Sequence, residues 1–435
     1  MTSFQREASA GPALGRRTLL KGLIGVGGAA ALPSLAACSS ARPAAADTVT
    51  FGSNAWVPEP KGAYENVFAA AREATGVEID VTWVEHNAFQ QDITSYLRGD
   101  PQDVFTWFAG ERMQFFADQG LAGQADEVWQ KIGGSYTDAM RAQSKGADGH
   151  YYFVPFVYYP WAVFYSRSLW QSRGYSAPAT WDEFIALAGA MKGDGLVPIA
   201  FANKDGWPAM GTFDYLNMRM NGFAFHIDLM RGGKGWDSPQ VAAVFDQWRR
   251  LLPYYPPGFA DRAWQEGAAQ VAGKQAGMTV LGLDQIGTAF TGEHAGDLGF
   301  FAFPSMDPLY GQDAVEAPID GFMLSRAPKN PSGASRLLEY LGTAAAQQLW
   351  LGSNPADIAT AGGVDTAGYT PAQNAAARLI TDAKQISQFM DRDTRPDFAG
   401  PVMLPAIRAF LADPASARPI LADAAAQARR IWTAA

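Results

Sequence analysis

The sequence predicts an α/β fold divided into two lobes, and three observations carry this prediction. Segments with a strand pattern alternate with segments with a helix pattern, which is typical of a parallel sheet covered by helices. The chain has 435 residues, enough for about two to three domains at roughly 150 residues each. Hydrophobic residues make up 48% and charged residues 18%, a composition typical of a globular protein with a sizeable core.

The first part of the chain has the composition of an export signal. The pair Arg16-Arg17 precedes an uncharged run over residues 22–35, which ends shortly before Cys38. A charged start, an apolar stretch and small residues before a cleavage point are typical of a secretory signal, and paired arginines indicate the twin-arginine route. The run is shorter than the ~20 apolar residues of a membrane span and is interrupted by glycines.

The end of this run, Leu35-Ala36-Ala37-Cys38, resembles a bacterial lipobox. In that reading Cys38 becomes the first residue of the mature protein and carries a lipid. The alternative is a buried small hydrophobe, the usual role of a free cysteine. We therefore predict a signal peptide over residues 1–37, a tether over residues 38–46 and an exported protein held by lipid at the outer face of the cytoplasmic membrane.

Charge and cysteine content exclude several classes of protein. The net charge is −9, and removing residues 1–37 brings it near −12, whereas a nucleic-acid-binding protein needs a basic face. With one cysteine, no intramolecular disulfide forms, and four histidines add little material for a zinc site. We predict no cofactor, no bound metal and a monomer.

The first part of the body predicts three strands, each followed by a helix. Gly76 provides a stop for the first helix, and residues 77–84 alternate in polarity with the period of a strand. The predicted order is strand 48–52, helix 63–75, strand 77–84, helix 87–98, strand 103–107 and helix 111–119.

The second part continues the alternation with clearer helix starts. Thr180 and Glu183 have the spacing of a capping box, which opens a helix to about Met191, and Ser238-Pro239 starts another. Further strands are predicted over residues 153–165, 275–283 and 321–325, and the chain from residue 331 onward is predicted to be largely helical.

Two stretches of sequence resemble a known family. They are Val154-Pro155-Phe156 through Phe164-Tyr165-Ser166-Arg167 with Thr180-Trp181-Asp182-Glu183-Phe184, and Gly273-Lys274-Gln275-Ala276-Gly277-Met278. Their order resembles the family-1 extracellular solute-binding proteins of ABC importers over about residues 48–430. Three further segments, 105–110, 213–222 and 389–398, resemble the sugar-binding branch related to α-glucoside binders.

This resemblance implies a periplasmic-binding-protein-like fold of the class II type, with a ligand cleft between two lobes and helices that brace it at the C-terminal end. The expected lobes are residues 47–158 plus 320–355 and residues 159–319 plus 356–435. The chain is expected to cross between them near residues 158–165, 320–325 and 352–357. The implied partners are a carbohydrate, expected to be a di- or oligosaccharide, and the permease subunits of an importer.

A sugar site needs aromatic rings for the C–H faces of a pyranose and planar polar groups for its hydroxyls. Trp107 is the leading platform, because it ends a predicted strand where ligands of open α/β sheets bind. The candidate ligand-binding residues are Trp56, Trp107, Glu111, Arg112, Tyr158, Tyr159, Trp161, Trp207, Phe213, Asp214, Asn217, Asp284, Asp320, Asp391 and Arg392.

Each of these residues also has a structural interpretation. Trp107 could belong to the core of its lobe, Phe213 to the core of a helix, and residues 391–395 to a solvated loop with internal ion pairs. At Asp284 the resembling family often has an aromatic residue, so we expect a hydroxyl contact there instead of stacking.

Two other functions remain open. A glycoside hydrolase needs two positioned carboxylates, but the resemblance covers the mature chain without leaving a catalytic module, so we predict no enzyme. A solute-binding protein for a polyamine or for glycerol phosphate is the second alternative. Unpaired cleft carboxylates would favour the polyamine, and carboxylates paired with arginine or asparagine would favour the sugar.

Overall fold

The strands form three separate sheets within residues 47–55 and 58–433, the part of the chain that the computed structural model describes. In chain order the strands are β1 (Thr48–Ser53), β2 (Glu78–Trp83), β3 (Val104–Phe108), β4 (Ala122–Gly123), β5 (Val154–Tyr158), β6 (Trp161–Ser166), β7 (Val197–Ile199), β8 (Ala276–Gly282), β9 (Leu298–Phe301), β10 (Ala314–Glu316), β11 (Ile319–Ser325), β12 (Ile358–Ala359) and β13 (Gln385–Ser387). The predicted signal peptide, tether and Cys38 lie outside the described residues.

Helices connect most of these strands. Up to residue 287 they are α1 (Pro58–Thr75), α2 (His86–Arg98), α3 (Glu111–Asp118), α4 (Asp126–Ile132), α5 (Asp138–Gln143), α6 (Arg167–Arg173), α7 (Trp181–Gly193), α8 (Pro208–Asn221), α9 (Phe223–Met230), α10 (Pro239–Arg249), α11 (Trp264–Ala272) and α12 (Leu283–Gly287). After residue 330 they are α13 (Pro331–Leu341), α14 (Ala344–Ser353), α15 (Pro371–Asp382), α16 (Met390–Asp393), α17 (Pro396–Phe398), α18 (Leu404–Ala412) and α19 (Ala417–Thr433).

The largest sheet has the order β12-β5-β11-β3-β1-β2, with β4 paired to β11. Strand β1 runs parallel to β2 and β3, so the alternation predicted over residues 48–119 is confirmed. Strand β11 runs antiparallel to β3 and β5, which makes the sheet mixed. As a result, β11 begins at the edge where β3 and β5 end, which brings Asp320 of β11 opposite Phe108 of β3 and next to the end of β5.

Helices cover both faces of this sheet, as expected for strands that are buried throughout. Helices α1, α13 and α14 pack on one face around Phe51, Phe156 and Phe322. Helices α2 and α3 pack on the other around Phe116 and Met323. These two layers form the first lobe.

The second lobe is built on a four-stranded sheet with the order β7-β8-β6-β9. Its core continues into the C-terminal helices, where Phe410 of α18 packs against Phe245 and Trp248 of α10 at ring-centroid distances of 4.8 and 5.5 Å. Strands β10 and β13 form a small parallel pair of their own. The predicted helical C-terminal region is therefore confirmed, with two short strands inserted.

The chain passes from the first sheet to the second between β5 and β6, inside the single strand predicted over residues 153–165. Pro160 has no N–H to donate to a ladder, so the strand breaks there. A second passage lies between β10 and β11. Strand β12 still pairs with β5 of the first sheet, and the buried Gln347 side chain accepts from the amides of Thr360 and Ala361, which directly follow β12, at 2.9 Å each. The lobe boundaries themselves remain a prediction.

Local signals in the sequence located several helix ends. The capping box of Thr180 and Glu183 is present at the start of α7, and Ser238 caps α10 ahead of Pro239. Helix α1 ends at Thr75 as predicted, with Gly76 at φ +70°. It begins earlier than expected, at Pro58. Proline is favourable in the first helical turn, because the amide hydrogen that it lacks would have no acceptor within the helix.

Candidate functional site

Polar side chains converge where β3 and β5 end and β11 begins. Asp320 of β11 lies opposite Phe108 of β3 in the ladder, and α16 crosses over this edge. The guanidinium carbon of Arg392 lies 4.0 Å from the centroid of the Phe108 ring. We refer to Tyr159, Asp284, Asp320, Asp391 and Arg392 as the cleft cluster.

Arg392 forms the centre of the cleft cluster. Its Nη1 lies 2.7 Å from Oδ1 of Asp320, and its Nη2 donates to the hydroxyl of Tyr159 at 3.4 Å. The Tyr159 hydroxyl donates to Oδ2 of Asp320 at 3.2 Å. Burial raises the pKa of Asp320, and the neighbouring guanidinium opposes that rise. Each of the three side chains is therefore joined to the other two by a hydrogen bond or an ion pair.

A second ion pair lies beside the first. Nη1 of Arg112 is 2.6 Å from Oδ2 of Asp391, and the guanidinium of Arg112 lies over the rings of Trp107 and Phe108 at 5.0 and 5.1 Å. The other carboxylate oxygen of Asp391 is buried and has no hydrogen-bond partner in the described residues. An oxygen in this state is an acceptor available to a ligand hydroxyl.

Asp284 presents a similar oxygen from the other lobe. It lies in the first turn of α12, directly after β8, and its Oδ1 is buried without a partner in the described part of the chain. Burial and the nearby carboxyls of Asp357 and Asp320 raise the pKa of Asp284 well above its ordinary value. The same kind of burial raises the pKa of Asp357 to about 7. Protonated, such a group can donate to a hydroxyl as well as accept from one.

The aromatic side of the site is formed by Trp161 and Trp207. Their ring centroids are 6.0 Å apart with edge-to-face geometry, and Phe389 packs on Trp161 at 4.9 Å. Trp161 is buried, whereas Trp207 is half-buried and keeps part of its ring accessible. A Cβ at Gly282 would lie 3.1 Å from Nε1 of Trp161 and 2.7 Å from Oδ1 of Asp284. The absence of a side chain there lets these two groups approach each other.

Two contacts join the lobes beside the cleft cluster. Glu111 of α3 pairs with Arg231, which follows α9, at 2.9 Å. Nδ2 of Asn87 in α2 donates to Oδ1 of Asp205 at 3.1 Å. The predicted residue Glu111 therefore contacts the opposite lobe directly.

Several predicted residues are not in this cluster. Trp107 is 1% exposed and packs between Phe89 and Phe116, with Arg112 over its ring. The structure therefore shows the core packing that was the alternative interpretation, and the ring supports Arg112. Whether Trp107 contacts a ligand stays a prediction.

The residues expected to form the wall of the second lobe are buried. Phe213 packs against Trp236 at 5.5 Å, Asp214 accepts from the amide of Met390, and Asn217 contacts His226. Each of the three predicted residues has no exposed surface and packs in the protein interior, and their role as ligand contacts stays a prediction. Helical spacing placed Asp214 and Asn217 near one another but could not tell which face of the helix was buried.

The two remaining predicted residues are Tyr158 and Trp56. Tyr158 ends β5 beside the cluster, half-buried, and burial raises its pKa to about 12. Trp56 lies outside the described residues.

The sequence interpretation missed His86 and Asp357. His86 begins α2 directly after β2, and burial together with the cations Arg392 and Arg112 lowers its pKa to about 4. It is therefore a neutral ring at the same sheet edge. The rule that ligands bind beyond strand ends, which pointed to Trp107, would also have pointed to His86.

A family profile described as the bacterial extracellular solute-binding proteins matches residues 54–348. The chain belongs to this family. Its members are solute-binding receptors, so this solute-binding protein is not an enzyme. Within the described residues, no helix combines the length and the apolar character needed to span a bilayer.

Curated relatives and a solved structure agree with this assignment. An uncharacterized ABC transporter extracellular-binding protein of Pyrococcus horikoshii is 24% identical over 58% of this chain and 56% of its own length. A probable sugar-binding periplasmic protein of Rhizobium meliloti is 31% identical over 38% of this chain and 41% of its own. The crystal structure of the bacterial solute receptor AcbH, described as exclusively preferring β-D-galactopyranose, is 45% identical with a TM-score of 0.87 and covers 89% of this chain and 100% of that one.

Proposed function

We propose that this solute-binding protein captures a sugar outside the cytoplasm and delivers it to an ABC importer, and that its ligand is a single pyranose of the galactose type. The observation that carries the proposal is the cleft cluster, in which fixed ion pairs lie beside two buried carboxylate oxygens without partners, on Asp284 and Asp391. Hydroxyl groups of a sugar can satisfy such oxygens, and the half-buried ring of Trp207 offers a surface for its C–H face.

The likeness to AcbH supports a monosaccharide over the di- or oligosaccharide that the sequence motifs favour. That receptor is 45% identical and is described as preferring β-D-galactopyranose. An α-glucoside remains the second candidate, supported by the motif resemblance of residues 105–110, 213–222 and 389–398.

The pairing of charges argues against the two non-sugar ligands. The carboxylates of Asp320 and Asp391 are paired with arginines, and Asp205 is paired with an asparagine, which is the arrangement expected for a sugar site. A phosphate ligand needs cations of its own, whereas Arg112 and Arg392 are already engaged by carboxylates. A polyamine needs several free carboxylates at the site, whereas Asp284 alone among the carboxyls of the cleft cluster has no arginine partner in the described residues.

Thermal unfolding of residues 47–435 with a ligand panel tests the proposal. The panel contains methyl β-D-galactopyranoside, methyl α-D-galactopyranoside, glucose, maltose, putrescine and glycerol 3-phosphate. A ligand that binds only the folded state stabilises it by about 2.7 kcal/mol at a hundredfold excess over Kd, which shifts Tm by a few degrees.

We expect the β-galactoside to raise Tm and its α-anomer to raise it less. A shift with maltose alone would replace the galactose type by the α-glucoside. A shift with putrescine or glycerol 3-phosphate and none with any sugar would overturn the sugar assignment and leave the family unchanged.

A further inference from the structure

The segment that carries Asp391 and Arg392 into the cleft has an unusual backbone. Residues 387–394 start at the last residue of β13 and include α16. Within this segment Phe389 has φ +152°, a value that residues other than glycine adopt rarely. The Phe389 ring also packs on Trp161. A conformation of this kind persists only when its surroundings hold it in place.

Two buried carboxylates hold this segment from inside the protein. Asp393 accepts from the Ser387 hydroxyl at 2.6 Å and from the amide of Gln388 at 2.8 Å. Asp214 of α8 accepts from the amide of Met390 at 2.7 Å. The two carboxylates therefore hold the backbone on either side of Phe389.

A third carboxyl group lies against the second. Glu316 of β10 has no exposed surface, and neither of its oxygens faces an N–H or O–H donor in the described chain. Its carboxyl group lies beside that of Asp214, and burial together with this neighbour raises the pKa of Glu316. Two ionised carboxylates have no donor between them, so this contact requires a proton on one of the two.

No arginine or lysine forms an ion pair with either carboxyl in the described residues, although the charge of Arg392 opposes the rise in the pKa of Glu316. His226 of α9 is near, with Nε2 3.9 Å from Oδ1 of Asp214, but burial lowers its pKa to about 3 and the ring is neutral. Arg219 of α8 donates to the backbone carbonyls of Phe303 and Ala314. The titratable and charged groups that face the three carboxyls are Tyr215 and Arg219 of α8, His226 of α9, Arg231 after α9, and Asp391 and Arg392 of α16.

We propose that Asp214, Glu316 and Asp393 are positioning residues for the sugar site, and that the proton shared by Asp214 and Glu316 keeps α16 where Arg392 reaches Asp320. Loss of that proton leaves two adjacent negative charges in the interior, which repel one another and displace Asp214 from the Met390 amide. The proposal rests on the proposed function, because its consequence is a sugar affinity that falls as the pH rises.

Isothermal titration calorimetry with methyl β-D-galactopyranoside tests the link. Burial raises the pKa of both Asp214 and Glu316, so the pair keeps its shared proton at a higher pH than an exposed carboxyl does. For the parent protein we expect Kd to rise about fivefold or more between about pH 6 and about pH 9, since one proton lost changes Kd by up to about tenfold per unit.

The variant E316Q replaces the shared proton by an amide that donates at every pH. We expect its Kd to change by less than about twofold over the same range. The matched control E65Q removes an exposed carboxylate on α1, and its Kd should change with pH as much as that of the parent protein. Equal slopes for the parent and E316Q would overturn the proposal, and D214N provides the same comparison if E316Q does not fold.

Unfolding of the ligand-free proteins separates this proposal from the function. A carboxyl whose pKa is raised in the folded state stabilises the fold at low pH, and this contribution is lost as the pH rises. The Tm of the parent protein should therefore fall more than that of E316Q between about pH 6 and about pH 9. If no sugar binds at any pH, the proposed function and the link to affinity both fail. In that case, an equal fall of Tm with pH in the parent and in E316Q would also contradict the shared proton.

Discussion

Asp320 of the cleft cluster is half-buried and Asp357 is buried, and their charges are compensated differently. Asp320 has the guanidinium of Arg392 at 2.7 Å. Asp357 accepts from Nε1 of Trp350 at 2.6 Å, and its pKa is raised to about 7 because burial disfavours its charged form. A neutral donor stabilises a carboxylate less than a cation does, so Asp357 is the one that holds its proton near neutral pH.

This difference predicts a pH dependence of stability. A carboxyl whose pKa is raised in the folded state contributes stability below its ordinary pKa of about 4 and loses that contribution as the pH rises toward 7. We expect Asp357→Asn to reduce the fall in Tm between about pH 5 and about pH 8. Scanning calorimetry at both pH values measures it, with Asp382→Asn at an exposed position as the control. An unchanged fall in the Asp357 variant would contradict the assignment.

Trp207 is the aromatic residue of the predicted set that combines a place beside Trp161 with an accessible ring. Replacing it by alanine removes a stacking surface, and we expect a loss of about 1–3 kcal/mol in sugar binding with little change in Tm. Calorimetric titration measures the loss.

The control for this experiment is Trp432→Ala, a half-buried tryptophan of α19 that packs on Phe398. A Trp207 variant that binds within a factor of two of the parent would remove Trp207 from the site.

The sequence predicted the position of a site residue where that position follows from the order of the strands. It could not predict a position that depends on the direction in which a side chain points. Asp320 and Arg392 lie on segments whose positions follow from the order of strands, and the structure brings them together. Trp107 sits on a strand whose alternate residues face opposite layers, and its ring enters the core. Their roles as ligand contacts stay predictions.

At the scale of elements, α7 shows how local chemistry fixes a helix start. The Glu183 side chain accepts from the amides of Ala179 and Thr180 at 2.9 and 3.0 Å, and the Thr180 hydroxyl caps the helix. These hydrogen bonds lower the pKa of Glu183. Such a start is encoded within four residues, so it was visible in the sequence.

We expect Thr180→Ala to destabilise the protein by about 1 kcal/mol, because it removes the acceptor for an otherwise unpaired amide. Chemical denaturation measures the change, and sugar affinity should be unaffected because α7 lies away from the cleft cluster. The control is Thr381→Ala, an exposed threonine near the end of α15. A destabilisation equal to that of the control would show that the cap contributes nothing.

Helix α16 is an element that the sequence did not reveal. Its charge density suggested either a solvated loop or entry into the cleft, and local propensity cannot decide between them. Arg392 is 8% and Asp393 9% exposed; Arg392 pairs with Asp320, which is distant in sequence, and Asp393 accepts from the nearby Ser387 hydroxyl, while the distant Asp214 accepts from the Met390 amide. Contacts between residues far apart in sequence created this helix, which explains why periodicity missed it.

At the scale of the whole molecule, the sequence predicted the two lobes, whereas the lobe boundaries and the crossings between them stay predictions. Strands β5 and β11 lie at two of the predicted crossings. Near the third predicted crossing lies the side-chain amide of Gln347, whose partners Thr360 and Ala361 lie on a later segment. A single buried amide leaves no pattern in a sequence.

The proposed anchor also concerns the whole molecule. Cys38→Ala should release the protein from membranes while leaving sugar affinity and Tm intact, because the lipid is attached outside the sugar-binding part of the chain. Fractionation of cells that express the full chain measures the release, with Ser39→Ala as the control. A variant that stays with the membrane would contradict the lipobox.

The ion pair of Glu111 with Arg231 gives the protein a sensitivity to its surroundings. The Arg231 side chain is 60% exposed and that of Glu111 is 28% exposed, so dissolved ions reach the pair that joins the lobes. The Debye length falls from about 30 Å at 0.01 M to about 3 Å at 1 M, which weakens exposed charge pairs. A cell does not control the salinity outside it. For a protein that works there, the time for which a captured sugar stays enclosed should shorten in brine and lengthen in fresh water.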